Sequence, residues 1–268
     1  MKVLKKVFGG FLLVSLVFTL LRGLPLYAQT KEAKEVLGKV AQRWKEVKDF
    51  QADLATGIQM MGSWMTMESK ILAKGDKFRM EMDLPSPQGT KNKMNMVFDG
   101  KTMWQYMPLQ NMVIKIDFTS LMNWAKEKGL EKETMMLKPK QPLPLPPDVK
   151  YKVSEKEKEG RVYYLLETEE ITSGMMDRPE LKAMKNSQFM PKKMVFWIRK
   201  DDFFPFRYEV YSQEDSLGMW MEFRNVQTDI GIEDKNFIFQ PPSDAQIMDM
   251  TDMMKKSLSE STQESGND

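Results

Sequence analysis

The sequence predicts a mainly β protein with helices, an α+β chain whose large antiparallel sheet curves strongly into an incomplete β-barrel of about ten to eleven strands. Three observations carry this. Apolar residues recur at every second position through most of residues 50–223, the period of a strand with one wet and one dry face. Turn residues such as Gly75-Asp76, Asp99-Gly100 and Glu159-Gly160 separate the runs, as in an antiparallel meander. A sheet of that size curls, splits or closes, and helices with a single apolar stripe must cover what stays open.

The elements follow in order. Lys2, Lys5 and Lys6 precede an apolar run from Val7 to Leu21, then Arg22 and Pro25. That is the order of parts in a signal peptide. The run is shorter than the roughly 20 residues a spanning helix needs, so cleavage after Ala28 is expected rather than anchoring. From Lys31 to Val47, Ala33, Val36, Leu37, Val40, Ala41, Trp44 and Val47 recur at spacings of three and four, an amphipathic helix. The period then switches to two, through Phe50 to Met60, Met65 to Ile71, Phe78, Met80 and Met82, Met94, Met96 and Phe98, Trp104 and Tyr106, and Met112, Ile114 and Ile116. Leu121, Met122, Trp124 and Ala125 have helical spacing again, and Pro139 to Pro147 reads as a rigid extended linker. Strand patterns resume at Tyr151, Val162, Met194, Phe206 and Met219, interrupted by a Met-rich insertion at 170–192. The expected organisation is a leader over 1–28, one domain over 29–256 and a polar, disordered tail over 257–268.

Composition narrows function. The chain has no histidine, which removes the commonest general base and the usual partner of a nucleophilic serine. It has no cysteine, hence no thiol to carry a lipid and no disulfide. The 40 Lys+Arg and 38 Asp+Glu are interspersed, and removing the leader with its four basic groups leaves a formal net charge of −2. Nucleic acid is not an expected partner. The pairs Glu169-Glu170 and Asp201-Asp202 are weak candidates for catalysis or metal binding, because strand neighbours point to opposite faces and Asp201-Asp202 sits where a turn belongs. No enzyme activity, cofactor or metal is expected. The 26 methionines are informative, since flexible, polarizable thioethers suit surfaces that accept apolar partners of varying shape.

Asp99-Gly100-Lys101-Thr102-Met103-Trp104-Gln105-Tyr106-Met107-Pro108 resembles the DGKTxWxYxP hairpin of outer-membrane lipoprotein carrier proteins of the LolA type. Phe237-Ile238-Phe239-Gln240-Pro241-Pro242 resembles their C-terminal FxFxPP signature, and Trp197 to Arg207 is similar to a further hairpin of that family. The ordered set covers about residues 31–250. The resemblance implies a monomeric periplasmic half-barrel that shields acyl chains of lipoproteins or lipids between an inner-membrane transporter and an outer-membrane receptor. The alternative is a lipid-sensing regulatory module on the same fold, acting in envelope stress signalling. The family's best-known carriers have an arginine at the turn entering the third strand; this chain has Gly75-Asp76 there, with Arg79 further on.

The residues expected to line the cavity are Phe78, Met80, Met82, Met94, Met96, Phe98, Trp104, Tyr106, Met112, Ile114, Ile116, Tyr208, Met219 and Met221. Val36, Leu37, Val40, Trp44, Leu121 and Trp124 are the expected helix lid. In a water-filled cavity Met80→Glu keeps its carboxylate hydrated and the fold survives, whereas in a filled core it does not. N-terminal sequencing of protein purified from the cell envelope is expected to begin near Gln29; an intact Met1 in the membrane fraction contradicts the leader.

Overall fold

The computed structural model describes residues 30–60, 62–84, 92–131, 134, 150–168 and 191–264. The expected leader, the Pro-rich stretch and all but the last two residues of the 170–192 insertion lie outside these. The described elements are α1 (Lys31–Glu46), β1 (Asp49–Met60), β2 (Ser63–Lys74), β3 (Lys77–Leu84), β4 (Asn92–Phe98), β5 (Thr102–Met107), β6 (Met112–Asp117), α2 (Phe118–Lys128), β7 (Tyr151–Lys158), β8 (Arg161–Thr168), β9 (Pro191–Arg199), β10 (Pro205–Ser212), β11 (Leu217–Thr228), β12 (Gln246–Asp249) and α3 (Thr251–Glu264). The strands hydrogen-bond in the order β12-β6-β5-β4-β3-β2-β1-β11-β10-β9-β8-β7, an open sheet with β12 and β7 at its edges. Two compact units are present. The first comprises the described residues of Met1–Lys48, Ala52–Glu68 and Pro142–Thr228, the second those of Asp49–Gln51, Ser69–Gln141 and Asp229–Asp268.

In the first unit, α1 starts where Thr30 Oγ1 accepts the Ala33 amide (3.1 Å), a side-chain cap for an otherwise orphaned donor. Its stripe of Ala33, Val36, Leu37, Val40 and Trp44 is buried, with Trp44 against Phe204 at 5.0 Å between ring centroids. Burying each of the larger side chains contributes about 1.5–3 kcal/mol, more than the helix gains from propensity. One face of β10 and β11 holds a charged network. Arg207 bridges Glu209 (2.7 Å) and Glu222 (2.9 Å), Arg224 binds Glu222 (2.8 Å), and Glu209 also accepts from the Trp197 indole (3.1 Å) and the Tyr211 hydroxyl (3.0 Å). Burial and the Glu209 charge push Tyr211 up to about 12. Arg207 lies over Trp220 at 4.8 Å, and the same indole requires glycine at 57, where a Cβ would fall 2.3 Å from Trp220 Nε1.

In the second unit, β3 to β6 pair antiparallel in unbroken register. Asp49 ties this unit's chain ends together. Its carboxylate, 4% exposed, accepts the amides of Ile230 (2.9 Å), Gly231 (3.2 Å) and Ile232 (3.3 Å), and its carbonyl accepts Asp229 N (2.8 Å). Gly231 supplies the left-handed φ of 75° that lets successive amides converge on one carboxylate.

Two features depart from the sequence reading. There are twelve strands among the described residues, not ten to eleven; the additional one, β12, runs parallel to β6 and has only four residues, too few to display an alternation. The tail expected to be disordered from 257 is helical to Glu264. Thr251 explains the helix start: its hydroxyl accepts from Asp117 N (2.9 Å) and donates to Asp249 (2.6 Å), and one turn on Lys255 donates to Ser120 Oγ (3.1 Å). The contacts to Asp117 and Ser120 connect residues more than 130 positions apart, beyond the reach of local pattern.

Asp49→Ala leaves three amides without their acceptor and is expected to destabilise by about 2–4 kcal/mol, with Asp49→Asn intermediate because its carbonyl still accepts. Denaturant unfolding of the three proteins checks this. A pH dependence comes from Asp234, held down to about 2 by hydrogen bonds from Lys74 (2.8 Å) and Lys77 (2.9 Å). A depressed folded value gives stability that is present above the ordinary carboxylate range and lost as pH falls from about 4 to about 2. The melting-temperature difference between wild type and Asp234→Asn should therefore be full above that window and vanish below it.

Candidate functional site

The dry face of the second unit is built by register. Phe78 pairs with Phe98, Phe98 with Met103 and Met103 with Ile116; one step along, Met80 pairs with Met96, Met96 with Gln105 and Gln105 with Ile114. Met82 opposes Met94 and Met107 opposes Met112. Directly opposed residues share a face, so these rows form one apolar surface with methionine as its commonest side chain. Met80 and Met96 are only 3% and 4% exposed. Phe98 continues the face to α2, whose Phe118 meets it edge-on at 5.7 Å. Of the expected lid residues on this helix, Leu121 is fully buried and Trp124 half-buried.

Trp104 and Tyr106 do not belong to this face, a correction to the sequence reading. Asp99 Oδ1 accepts the amides of Lys101 (2.8 Å) and Thr102 (2.7 Å), closing a tight turn that sets Phe98 opposite Met103. The dry parity therefore continues at Met103, Gln105 and Met107. Trp104 and Tyr106 point the other way, where Phe239 covers them at 5.7 and 6.5 Å. A sequence signal for this exists: a two-residue turn at Gly100-Lys101 carries the parity of 98 to 103. Aromatic size points to the wrong side.

That opposite face carries a cleft of about 550 Å³ lined by Arg79, Asn95, Tyr106, Lys235, Ile238, Phe239, Gln240 and Pro242. Arg79 donates to Glu81 (3.1 Å) and to the Asn236 carbonyl (3.3 Å), so it fastens the segment bearing Phe239. Tyr106 donates to Asn111 Oδ1 (3.3 Å), whose amide in turn grips Asp244 (2.9 Å).

The other expected residues lie in the first unit. Tyr208 pairs with Met221 and with Phe196, and Met219 with Val210, so Tyr208, Met219 and Met221 share a face. Met221 is buried and Met219 half-buried. The Tyr208 hydroxyl is buried without a hydrogen-bond partner, and burial pushes it well above the usual phenol range. Val36, Leu37, Val40 and Trp44 form the buried stripe of α1 in this same unit.

Asp202 of the acidic pair is a turn residue, accepting from Arg199 (2.9 and 2.5 Å) and from Phe204 N (3.0 Å). The pair Glu169-Glu170 lies outside the described residues. Among the described residues no three His, Cys, Asp or Glu side chains gather as metal ligands, and no helix is long and apolar enough to cross a membrane. The sequence reading missed Met103, Met107 and above all Gln105, which is 3% exposed and donates to Met94 Sδ (3.0 Å) while its Oε1 has no partner.

No family model matches the chain. An uncharacterized protein of Methanocaldococcus jannaschii is 25% identical over 223 residues, 82% of this chain and 55% of its own length, so the chain spans about half the length of the curated relative it matches. A solved structure of an uncharacterized conserved protein from Thermus thermophilus superposes with a TM-score of 0.52 at 14% identity, covering 82% of this chain and 99% of that one. An outer membrane lipoprotein-sorting protein domain from Vibrio parahaemolyticus gives 0.38 at 12% identity, over 76% and 94%. A LolA superfamily protein from Nitrosomonas europaea gives 0.32 at 14% identity, over 77% and 97%. This chain shares its fold with the Thermus protein, and its structural neighbours include lipoprotein-sorting and LolA superfamily proteins.

Proposed function

We propose that this protein is an exported, periplasmic carrier that shelters the acyl chains of lipids or lipoproteins against the methionine-rich face of its second unit, taking them from an inner-membrane transporter towards an outer-membrane receptor. The supporting observation is the continuous surface from Phe78, Met80 and Met82 through Met94, Met96, Phe98 and Met103 to Met112, Ile114 and Ile116. Each CH₂ moved from water onto it gains about 0.8 kcal/mol, and thioethers adapt to chains of differing length and bend at little cost. No nucleophile, base or cofactor enters this reading; binding and release are the whole activity. Because Met80 and Met96 are buried, loading requires the face to open. A carboxylate in place of either would be dehydrated rather than hydrated, so Met80→Glu tests stability and not binding.

A volume-conserving change tests binding instead. Replacing Met80, Met82 and Met96 together by Leu, and keeping Met94 because its sulfur accepts from Gln105, costs under about 1.5 kcal/mol per site, so the fold is expected to persist. Wild type is expected to bind a fluorescent fatty acid saturably and to accept competing chains over a wide range of lengths, and the leucine variant to accept a narrower range. Absence of saturable binding by wild type, together with organic extracts of gently purified protein that contain no acyl chains, would overturn the proposal.

A further inference from the structure

Among the described residues of the dry face, Gln105 is the carboxamide that stands in its middle. Met96 and Ile114 lie directly opposite it on the two neighbouring strands, and the unbroken register leaves its side chain no other side to occupy. Its Nε2 donates to Met94 Sδ at 3.0 Å. Its Oε1 is buried with no partner. A glutamine amide can make up to four hydrogen bonds; this one makes a single bond, to a weak sulfur acceptor, and its strong carbonyl acceptor is left unpaired on a face of thioethers and aliphatic side chains. Polar groups in such surroundings are ordinarily paired, so the unmet acceptor asks for a donor that the described residues do not supply.

We infer that the ligand of this face carries a hydrogen-bond donor, an amide N–H or a hydroxyl, within or directly beside its apolar chain, and that Gln105 Oε1 receives it. The inference rests on the carrier reading and narrows its cargo. An ionised carboxylate or a phosphate diester offers acceptors only and cannot answer a carbonyl oxygen, so a bare fatty acid fills the face without meeting Gln105. An N-acyl amide, or a chain bearing a free hydroxyl, fills it and pairs the acceptor. Discrimination of this kind is steep, because a site built for a donor is left with a buried unpaired group when the donor is missing.

The experiment uses the full chain and probes of one length: N-methylhexadecanamide, 1-hexadecanol and methyl hexadecanoate, each displacing a fluorescent fatty acid. Wild type is expected to bind the amide or the alcohol about tenfold more tightly than the ester, which has no donor. Whichever of the two is preferred identifies the source of the donor. In Gln105→Leu and Gln105→Met the preference for the amide or the alcohol over the ester should collapse, and neither ligand-free variant should melt below wild type, since each removes an unpaired acceptor. Equal affinity of wild type for all three probes overturns the inference and leaves the carrier reading standing, as does a preference that survives both substitutions. Failure of every probe to displace the fatty acid overturns the inference alone; absence of saturable fatty-acid binding, with extracts free of acyl chains, overturns the carrier reading and the inference with it.

Discussion

The functional reading depends on one constraint, the unbroken pairing of β3, β4, β5 and β6. Strand side chains alternate with period two, so a single register decides the fate of every residue in four strands at once. No bulge interrupts it between Phe78 and Ile116. The even positions of β3 and β4 and the odd positions of β5 therefore fall on one side, where the chain has placed methionine at most of them. A slip of one residue in β5 alone would put Trp104 and Tyr106 among the methionines and send Gln105 to the other side. The Asp99 turn prevents that slip with two short hydrogen bonds to backbone amides.

The opposite side of the same strands is held by different physics. There the contacts are directional: Arg79 to the Asn236 carbonyl, Lys74 and Lys77 to Asp234, Asn111 to Asp244, Lys115 to Asp249. The exposed ion pairs among them are each worth little. What they fix is the path of residues 234–249, so that Phe239 settles on Trp104 and Tyr106 and β12 finds β6. The first unit follows the same division between its two faces. Apolar side chains of β9 to β11 share one side, while the Arg207, Glu209 and Glu222 network with Trp197 and Trp220 occupies the other. Burial alone would raise Glu222, but hydrogen bonds from Arg224 and Arg207 outweigh it and hold its carboxyl below the usual range.

Much of this is legible in sequence because the information is local. The stripe of α1, the strand periods and the Asp99-Gly100 turn all lie within a few residues of the feature they specify. Sequence reading fails where the deciding partner is distant. β12 exists because β6 offers an edge, and α3 because Thr251 and Lys255 reach Asp117 and Ser120; neither partner can be inferred from Gln246-Ile247-Met248-Asp249 or from a serine-rich tail. Trp104 and Tyr106 mislead for another reason. Period two is plain on both strands of their hairpin, but the phase across the turn follows turn length, and side-chain size is no guide to it. Hydrophobicity alone says that a face is dry; it does not say which of two half-buried faces is the drier.

That distinction bears on why a glutamine stands among methionines. A face made only of thioethers and branched aliphatics accepts any chain that fits, because burial is non-directional and a flexible lining removes much of the penalty for poor shape. Such a surface has affinity without identity. One polar atom changes this asymmetrically: it adds little when satisfied and costs much when left dry. Its placement therefore matters more than its strength, and here strand register supplies the placement. The Met94 sulfur accepts from the amide, Met96 and Ile114 lie opposite it on the neighbouring strands, and the side chain is on the side of the sheet where a bound chain would rest. On the carrier reading the methionines would supply the free energy of binding, and a single carbonyl oxygen the choice among ligands that the methionines alone would treat alike.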